Sequence, residues 1–257
     1  MKKLIVSSLA IIFCIASVTV FAAETNANWI PSVSVRSVVA SKYLAFGQGF
    51  VNHDKPVVQT DIFAAFDCGF YIDLWNSTPF DGYNKNLGTE QDYGVGWSGK
   101  LSKLGIEGLV GELILDIGTS YFDEPSLGTF GANDLMKSYA KISKEFRWLT
   151  LNVCYENYTE MPGSSFDGGD LYSFGASKSM SFFNDRLTAS TSLALVYDDG
   201  GFGFDHGHLL RGSVELYWKL SKRFTLILPQ LNYYAPLTLR DSRKLDYVIF
   251  GGIAYQF

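Results

Sequence analysis

The stretch that most limits what this chain can fold into is its last, Leu245 to Phe257, which alternates in character and stops on an aromatic residue. Leu245, Tyr247, Ile249, Gly251, Ile253, Tyr255 and Phe257 form an apolar to aromatic row, while Asp246, Gly252, Ala254 and Gln256 fall on the other face. Successive side chains of a strand point to opposite faces, so this reads as a strand with one greasy side. A closing strand with its apolar row in lipid and its polar row in a lumen has this pattern, and a terminal aromatic then sits in an interfacial girdle. The last strand of a periplasmic sandwich is the competing reading.

The opposite end supplies the compartment. Lys2 and Lys3 precede an apolar run from Leu4 to about Val20, and Ala22 and Ala23 stand before Glu24. This is the layout of a secretory signal peptide over residues 1–23, with cleavage expected after Ala22 or Ala23 and one domain over residues 24–257. Removing the two lysines of the leader lowers the 21 basic residues to 19 against 26 acidic ones, a formal charge of -7. Such a balance disfavours nucleic acid as a partner. Beyond the leader no apolar run is long enough for a second helical span. Cys68 and Cys154 remain, one read in a turn and one within a strand, so free thiols are expected rather than a disulfide.

Between these ends the period-two pattern recurs, giving about twelve strands, with ten or fourteen as the other counts. Ile72 and Leu74 oppose Tyr71, Asp73 and Trp75; Leu151, Val153 and Tyr155 oppose Asn152, Cys154 and Glu156. Connections are short after even-numbered strands and long after odd-numbered ones, the asymmetry of an up-and-down barrel with short periplasmic turns and longer outer loops. A fifth strand is expected from Leu109 through Ile117, with Glu112 and Asp116 on its polar face. Pro229 is expected to mark a bulge, because proline removes a ladder donor. The polar faces carry mostly small polar residues with spaced charges, which favours a lumen over the solvated face of a sandwich.

Two resemblances add to this. The terminal Tyr255 and Phe257 resemble the C-terminal strand signal of bacterial outer-membrane β-barrels, which implies the barrel-assembly machinery as a partner. Ser41-Lys42-Tyr43 with Gly47, Lys55-Pro56-Val57-Val58-Gln59, Gly69-Phe70-Tyr71, Trp75 and Ser77 resemble the opening pattern of TorF-type porins. The sequence departs from that family at Lys42, where an acidic residue is usual, and at Phe46-Gly47, where an Arg-Gly pair is usual. The resemblance implies a small outer-membrane porin and no active site.

The candidate pore-lining charges are Arg36, Asp61, Asp73, Lys100, Glu112, Asp116, Glu156, Arg211, Glu215, Lys219 and Asp246. On a lumen face such charges tune which solutes pass; in a narrower barrel they would pair and fill it. The three histidines, His53, His206 and His208, all fall in expected outer loops, so neither a hydrolase nor a metal site is expected, nor any cofactor. Acidic outer loops point to a cation preference that salt weakens, or to divalent bridging of anionic lipid. The expected protein is thus a transmembrane, antiparallel, up-and-down β-barrel in the bacterial outer membrane, in contact with outer-membrane lipid. It would be a narrow channel for ions and small hydrophilic solutes. The other expectation is a non-conducting structural or adhesion barrel acting through its outer loops.

Overall fold

The structure is a computed structural model that describes residues 30–44, 50–82, 89–123, 134–161, 167–201, 205–238 and 243–257. The expected leader lies outside the described residues. The barrel begins with β1, Ser32–Ala40, which is followed by two short strands, β2, Tyr43–Leu44, and β3, Val51–His53. Next come β4, Val57–Ala65, β5, Phe70–Pro79, and β6, Glu90–Lys100. After a 3-10 turn at Leu101–Leu104 and a helical turn α1 at Gly108–Gly111 lie β7, Ile114–Asp123, β8, Leu135–Glu145, and β9, Thr150–Glu160. The chain ends with β10, Gly169–Phe182, β11, Leu187–Asp199, β12, Gly207–Lys219, β13, Phe224–Pro236, and β14, Asp246–Gln256.

β1 and β4 to β14 form one closed antiparallel barrel of twelve strands, each paired with its chain neighbour and β1 closing on β14. Closure leaves no unpaired strand edge, which a lipid environment demands because it offers no hydrogen-bond partner. The seam runs from Ser34 opposite Gln256 to Ala40 opposite Phe250, and the Phe257 amide adds a bond to the Val33 carbonyl at 3.0 Å. Gly252 allows this approach, since a Cβ there would overlap the Ser37 carbonyl oxygen of β1.

Alternation decides the two surfaces. Ile62, Ile72, Leu74, Val153, Phe174, Leu195, Ile249 and Ile253 lie exposed on the outer face, with Val153 at 58 % and Phe174 at 55 %. On a soluble protein this belt would be a large unpartnered apolar surface; around a closed barrel it is the lipid-facing band. No helix among the described residues is long and apolar enough to cross a membrane, and the strands do the crossing. The chain is a transmembrane β-barrel with the architecture of outer-membrane proteins.

The short connections hold one end together. In the β4–β5 turn, the Gly69 amide donates to the Phe66 carbonyl at 2.9 Å with Gly69 at a φ of 95°, in the left-handed region open to glycine. Trp97 donates from Nε1 to the Cys68 carbonyl at 2.8 Å and occupies the space a side chain on Gly69 would need. Two features differ from the sequence reading. The strand expected from Leu109 begins at Ile114, because residues 101–113 wind through the 3-10 turn and α1 with Gly105 and Gly108 at positive φ. The first outer loop, where His53 is expected, contains the β2–β3 pair, joined at Tyr43 opposite His53.

Candidate functional site

The inward rows enclose two adjoining cavities that share part of their lining. The outer one, about 500 Å³, lies toward the long-loop end, and the inner one, about 300 Å³, lies toward the short turns. Asp73, Gly94, Ser120, Lys137, Glu156 and Arg211 line both and so mark the waist between them. Two acids and two bases thus share the ring where the chambers meet. Gly94 and Ser120 add little bulk there, which leaves the space to the charged side chains.

Around the outer cavity Asp61, Asp73 and Asp92 come from three consecutive strands, β4, β5 and β6. Each has a buried Oδ1 that finds no hydrogen-bond partner. Lys137, on β8, sits 5.4 Å from the Phe122 ring and 5.7 Å from the Tyr139 ring, and no carboxylate among the described residues lies within ion-pair distance of it. Arg36 is the register partner of Asp61 but turns away from it: Nη2 donates to Gln230 Oε1 at 3.4 Å, and the guanidinium lies 5.3 Å from the Phe250 ring. Glu215 accepts from the Tyr217 hydroxyl at 2.8 Å. In the inner cavity Asp116 pairs with Lys141 at 3.2 Å and accepts from Tyr71 and Tyr139 at 3.1 and 2.9 Å.

The outer half is partly filled. Tyr43 and Leu44 of β2 are buried among inward apolar residues that include Val38, Leu171, Val196, Leu209, Tyr234 and Phe250. Tyr43 donates to Glu90 and packs at a tilt against Trp75, 5.5 Å between ring centroids, and Lys42 pairs with Asp246. At the other side of this segment His53 Nε2 lies 3.0 Å from Asp81 Oδ1, and Lys55 donates to Asp81 Oδ2 at 2.9 Å. The Lys55 hydrogen bond holds the Asp81 carboxyl below the usual carboxylate range. These contacts fasten the first outer loop inside the mouth.

The candidate charges therefore divide. Arg36, Asp61, Asp73, Asp116, Glu156, Arg211 and Glu215 face the cavities. Asp246 lies at the outer mouth with Lys42. Lys100 and Glu112 do not face the cavities: Glu112 lies between α1 and β7, and its Oε2 accepts from Lys100 Nζ at 2.8 Å with both half exposed. That hydrogen bond lowers the Glu112 pKa. Lys219 ends β12 in an exposed position. Tyr255 and Phe257 close the last strand, their rings 4.9 Å apart edge to face, with Phe257 72 % exposed.

Other residues of the site, among them Asp92, Lys137, Lys141 and Asn232, were not singled out from the sequence. Lys137 and Lys141 belong to an inward row, Lys137, Tyr139, Lys141, Ser143, in a strand whose outward row includes Ser138 and Ala140, so the contrast between faces was weak. Asn232 lies beyond the bulge, where alternation had to be restarted. The histidines also stand differently from the loop reading: His53 is in β3 and His208 in β12, with only His206 in a loop. The expected acidic mouth is partly neutralised, because Asp198 is buried against Arg243, and Asp199 lies 2.8 Å from His206 as a hydrogen-bond partner. Among the described residues no group of three or more His, Cys, Asp or Glu side chains is arranged to hold a metal ion.

No protein-family model and no curated protein matches this chain. Solved structures do match it by fold. The KdgM porin superposes with a TM-score of 0.52 over 88 % of this chain and 99 % of its own, at 12 % identity. The NanC porin gives 0.52 over 88 % and 100 %, at 11 % identity. The translocator domain of the autotransporter NalP from Neisseria meningitidis gives 0.50 over 98 % of each chain, at 12 % identity. The likeness is broader than the TorF-type porins alone: this chain shares the barrel fold of outer-membrane porins and translocators.

Proposed function

We propose that this barrel is a narrow outer-membrane channel through which ions and small hydrophilic solutes diffuse passively, with a modest preference for cations. The observation that carries the reading is the set of unsatisfied polar groups inside. Asp61, Asp73 and Asp92 keep a buried carboxylate oxygen without a protein partner, and Lys137 forms no ion pair among the described residues. An isolated charge in a dry interior costs several kcal/mol or more, so a lumen merely filled by its own side chains would pair such groups. Acidic and basic side chains that line a cavity of about 500 Å³ and keep polar atoms without a protein partner are groups that water and solutes satisfy.

The preference in sign follows from the lining. Asp61, Asp73, Glu90, Asp92, Asp116, Glu156 and Glu215 face Arg36, Lys42, Lys137, Lys141 and Arg211, seven acids against five bases. The excess is small and lies among clustered, buried carboxyls, so cations are enriched weakly at most and salt reduces the effect. The porin-like pattern at Ser41 to Ser77 agrees with this reading and would place the protein near the TorF-type porins. In the same account Tyr255 and Phe257 present the last strand to the barrel-assembly machinery, outer-membrane lipid surrounds the belt, and no cofactor or catalytic step takes part.

A non-conducting structural or adhesion barrel is the second reading, and the inward-folded β2–β3 segment favours it, since Tyr43 and Leu44 occupy part of the outer half. Single-channel recording of the refolded mature chain under a salt gradient separates the two. Discrete steps with a reversal potential on the cation side are expected. Folded, inserted protein that gives no steps would overturn the channel and leave the outer loops as the working surface.

A further inference from the structure

The outer cavity holds a polar side chain that the barrel itself does not use. Asn232 on β13 is 1 % exposed and lines this cavity, and neither its Oδ1 nor its Nδ2 has a hydrogen-bond partner. A buried amide left without partners destabilises a fold, a cost that is tolerated where something else binds the group. An amide offers a donor and an acceptor side by side, so it suits a ligand that needs both.

The walls around it differ in sign. On one side stand Asp61, Asp73 and Asp92, each with an unpartnered Oδ1. On the other, Asn232 lies opposite Ser213 of the neighbouring β12, two residues along that strand from Arg211, and Arg36 leans toward the same wall through Gln230, its own Nε buried and unpartnered. In the ring of twelve strands β12 lies six steps from β6, so Arg211 and Asp92 project from opposite sides of the barrel into one cavity. The division has exceptions: Glu215 lies on the basic side with the Tyr217 hydroxyl on its carboxylate, and Lys137 and Glu156 stand at the waist between the walls. A cation alone would satisfy only the acidic wall and an anion only the basic one. A molecule with an ammonium at one end and a carboxylate at the other satisfies both and presents both kinds of atom to Asn232.

We propose that the outer cavity is a binding site for small zwitterionic solutes of the amino-acid type, the ammonium held by Asp61, Asp73 and Asp92 and the carboxylate by Arg36, Asn232 and Arg211. Binding at this point rests on the channel reading only for how the solute arrives and leaves, and it converts a general pore into one with a preferred cargo.

The test is isothermal titration of the refolded barrel in detergent micelles with 4-aminobutyrate, and with butyrate, butylammonium and 1,4-butanediol as partners that lack one or both charges. Saturable binding of 4-aminobutyrate at least tenfold tighter than that of the other three is expected. Asn232→Leu and Asp61→Asn should each weaken it at least fivefold; the second is a conservative change that keeps the test valid if the first disturbs folding, as heat-modifiable gel mobility would reveal. No binding of 4-aminobutyrate, or equal binding of the diol or of a singly charged analogue, overturns the proposal. Ion current through the same preparation separates the two readings. A barrel that conducts without binding loses this site and keeps the channel, and one that binds without conducting keeps the site and loses the channel.

Discussion

Lys137 is the cleanest handle on whether ions cross the waist. It lines both cavities, makes no ion pair among the described residues, and can be replaced by glutamine at nearly constant length. Its ammonium stands 5.4 and 5.7 Å from the rings it covers, and an ion sharing the ring passes at a comparable ~6 Å. At a water-like dielectric the interaction there is about 0.7 kcal/mol, and a Debye length of about 10 Å in 0.1 M salt lowers it to about 0.4 kcal/mol. Removing the charge relieves a cation of that repulsion and deprives an anion of the same attraction. The cation-to-anion permeability ratio of Lys137→Gln should therefore rise by about 0.8 kcal/mol, roughly fourfold, in 0.1 M salt. In 1 M salt, with a Debye length of about 3 Å, the change should shrink to less than about 1.5-fold. Glu156→Gln should move the ratio by a similar amount in the opposite direction. The assay is the reversal potential of single channels in a planar bilayer at the two salt concentrations. Conducting channels whose reversal potential ignores both substitutions at low salt would refute the reasoning, because the current would then bypass the ring that joins the cavities.

Cys154 faces the inner cavity, so in a Cys68→Ser background a charged, membrane-impermeant thiosulfonate should step the conductance of each open barrel downward; unlabelled Cys154 in conducting protein would contradict an aqueous inner chamber. Gly252→Val should open the β1–β14 seam, since its side chain would overlap the Ser37 carbonyl, and a cost of about 1–3 kcal/mol or more should lower the urea midpoint of the folded, heat-modifiable form. Asp81 is held below its ordinary pKa by Lys55, so its contribution to anchoring the first outer loop is present above the usual carboxylate range and is lost as pH falls through the lowered value. Current noise from loop release should rise below about pH 4, and Asp81→Asn should reproduce it at neutral pH; a quiet Asp81→Asn channel would sink this account.

Most of the barrel was legible in the sequence because a strand's two faces repeat every second residue wherever one meets lipid and the other water. Ile72 and Leu74 against Tyr71 and Asp73, or Tyr247 and Ile249 against Asp246, needed no further information. The site was less legible for reasons that are also physical. Lys42 and Asp246 meet across most of the chain, and Asp198 near the outer end of β11 meets Arg243 ahead of β14, so charges that looked solvated are partly spent on each other. Val38 and Phe250 face inward although apolar, because the outer half of this lumen is partly packed. Glu112 matched a strand pattern only by continuing Leu113 and Leu115 backward, where Gly105, Gly108 and Gly111 instead let the chain turn. No local periodicity separates those cases.

The bulge at Pro229 connects the fold to the proposed site. Between Ile227 and Gln230, β13 carries one residue more than the facing segment of β14, and a matching shift separates it from β12. Unbroken alternation from Ile227, which faces inward, would turn Pro229 and Leu231 inward and send Gln230, Asn232 and Tyr234 toward lipid. With the extra residue, all three are 1 % exposed inside the barrel, Gln230 can accept from Arg36 and donate to the Leu216 carbonyl at 3.3 Å, and Asn232 reaches the cavity. Proline suits the position because a bulged residue leaves a ladder donor unneeded. A single irregularity in an otherwise regular sheet thus sets which side chains on β13 belong to the membrane and which to the lumen, and the orientation of Arg36 depends on it as much as the placement of Asn232 does.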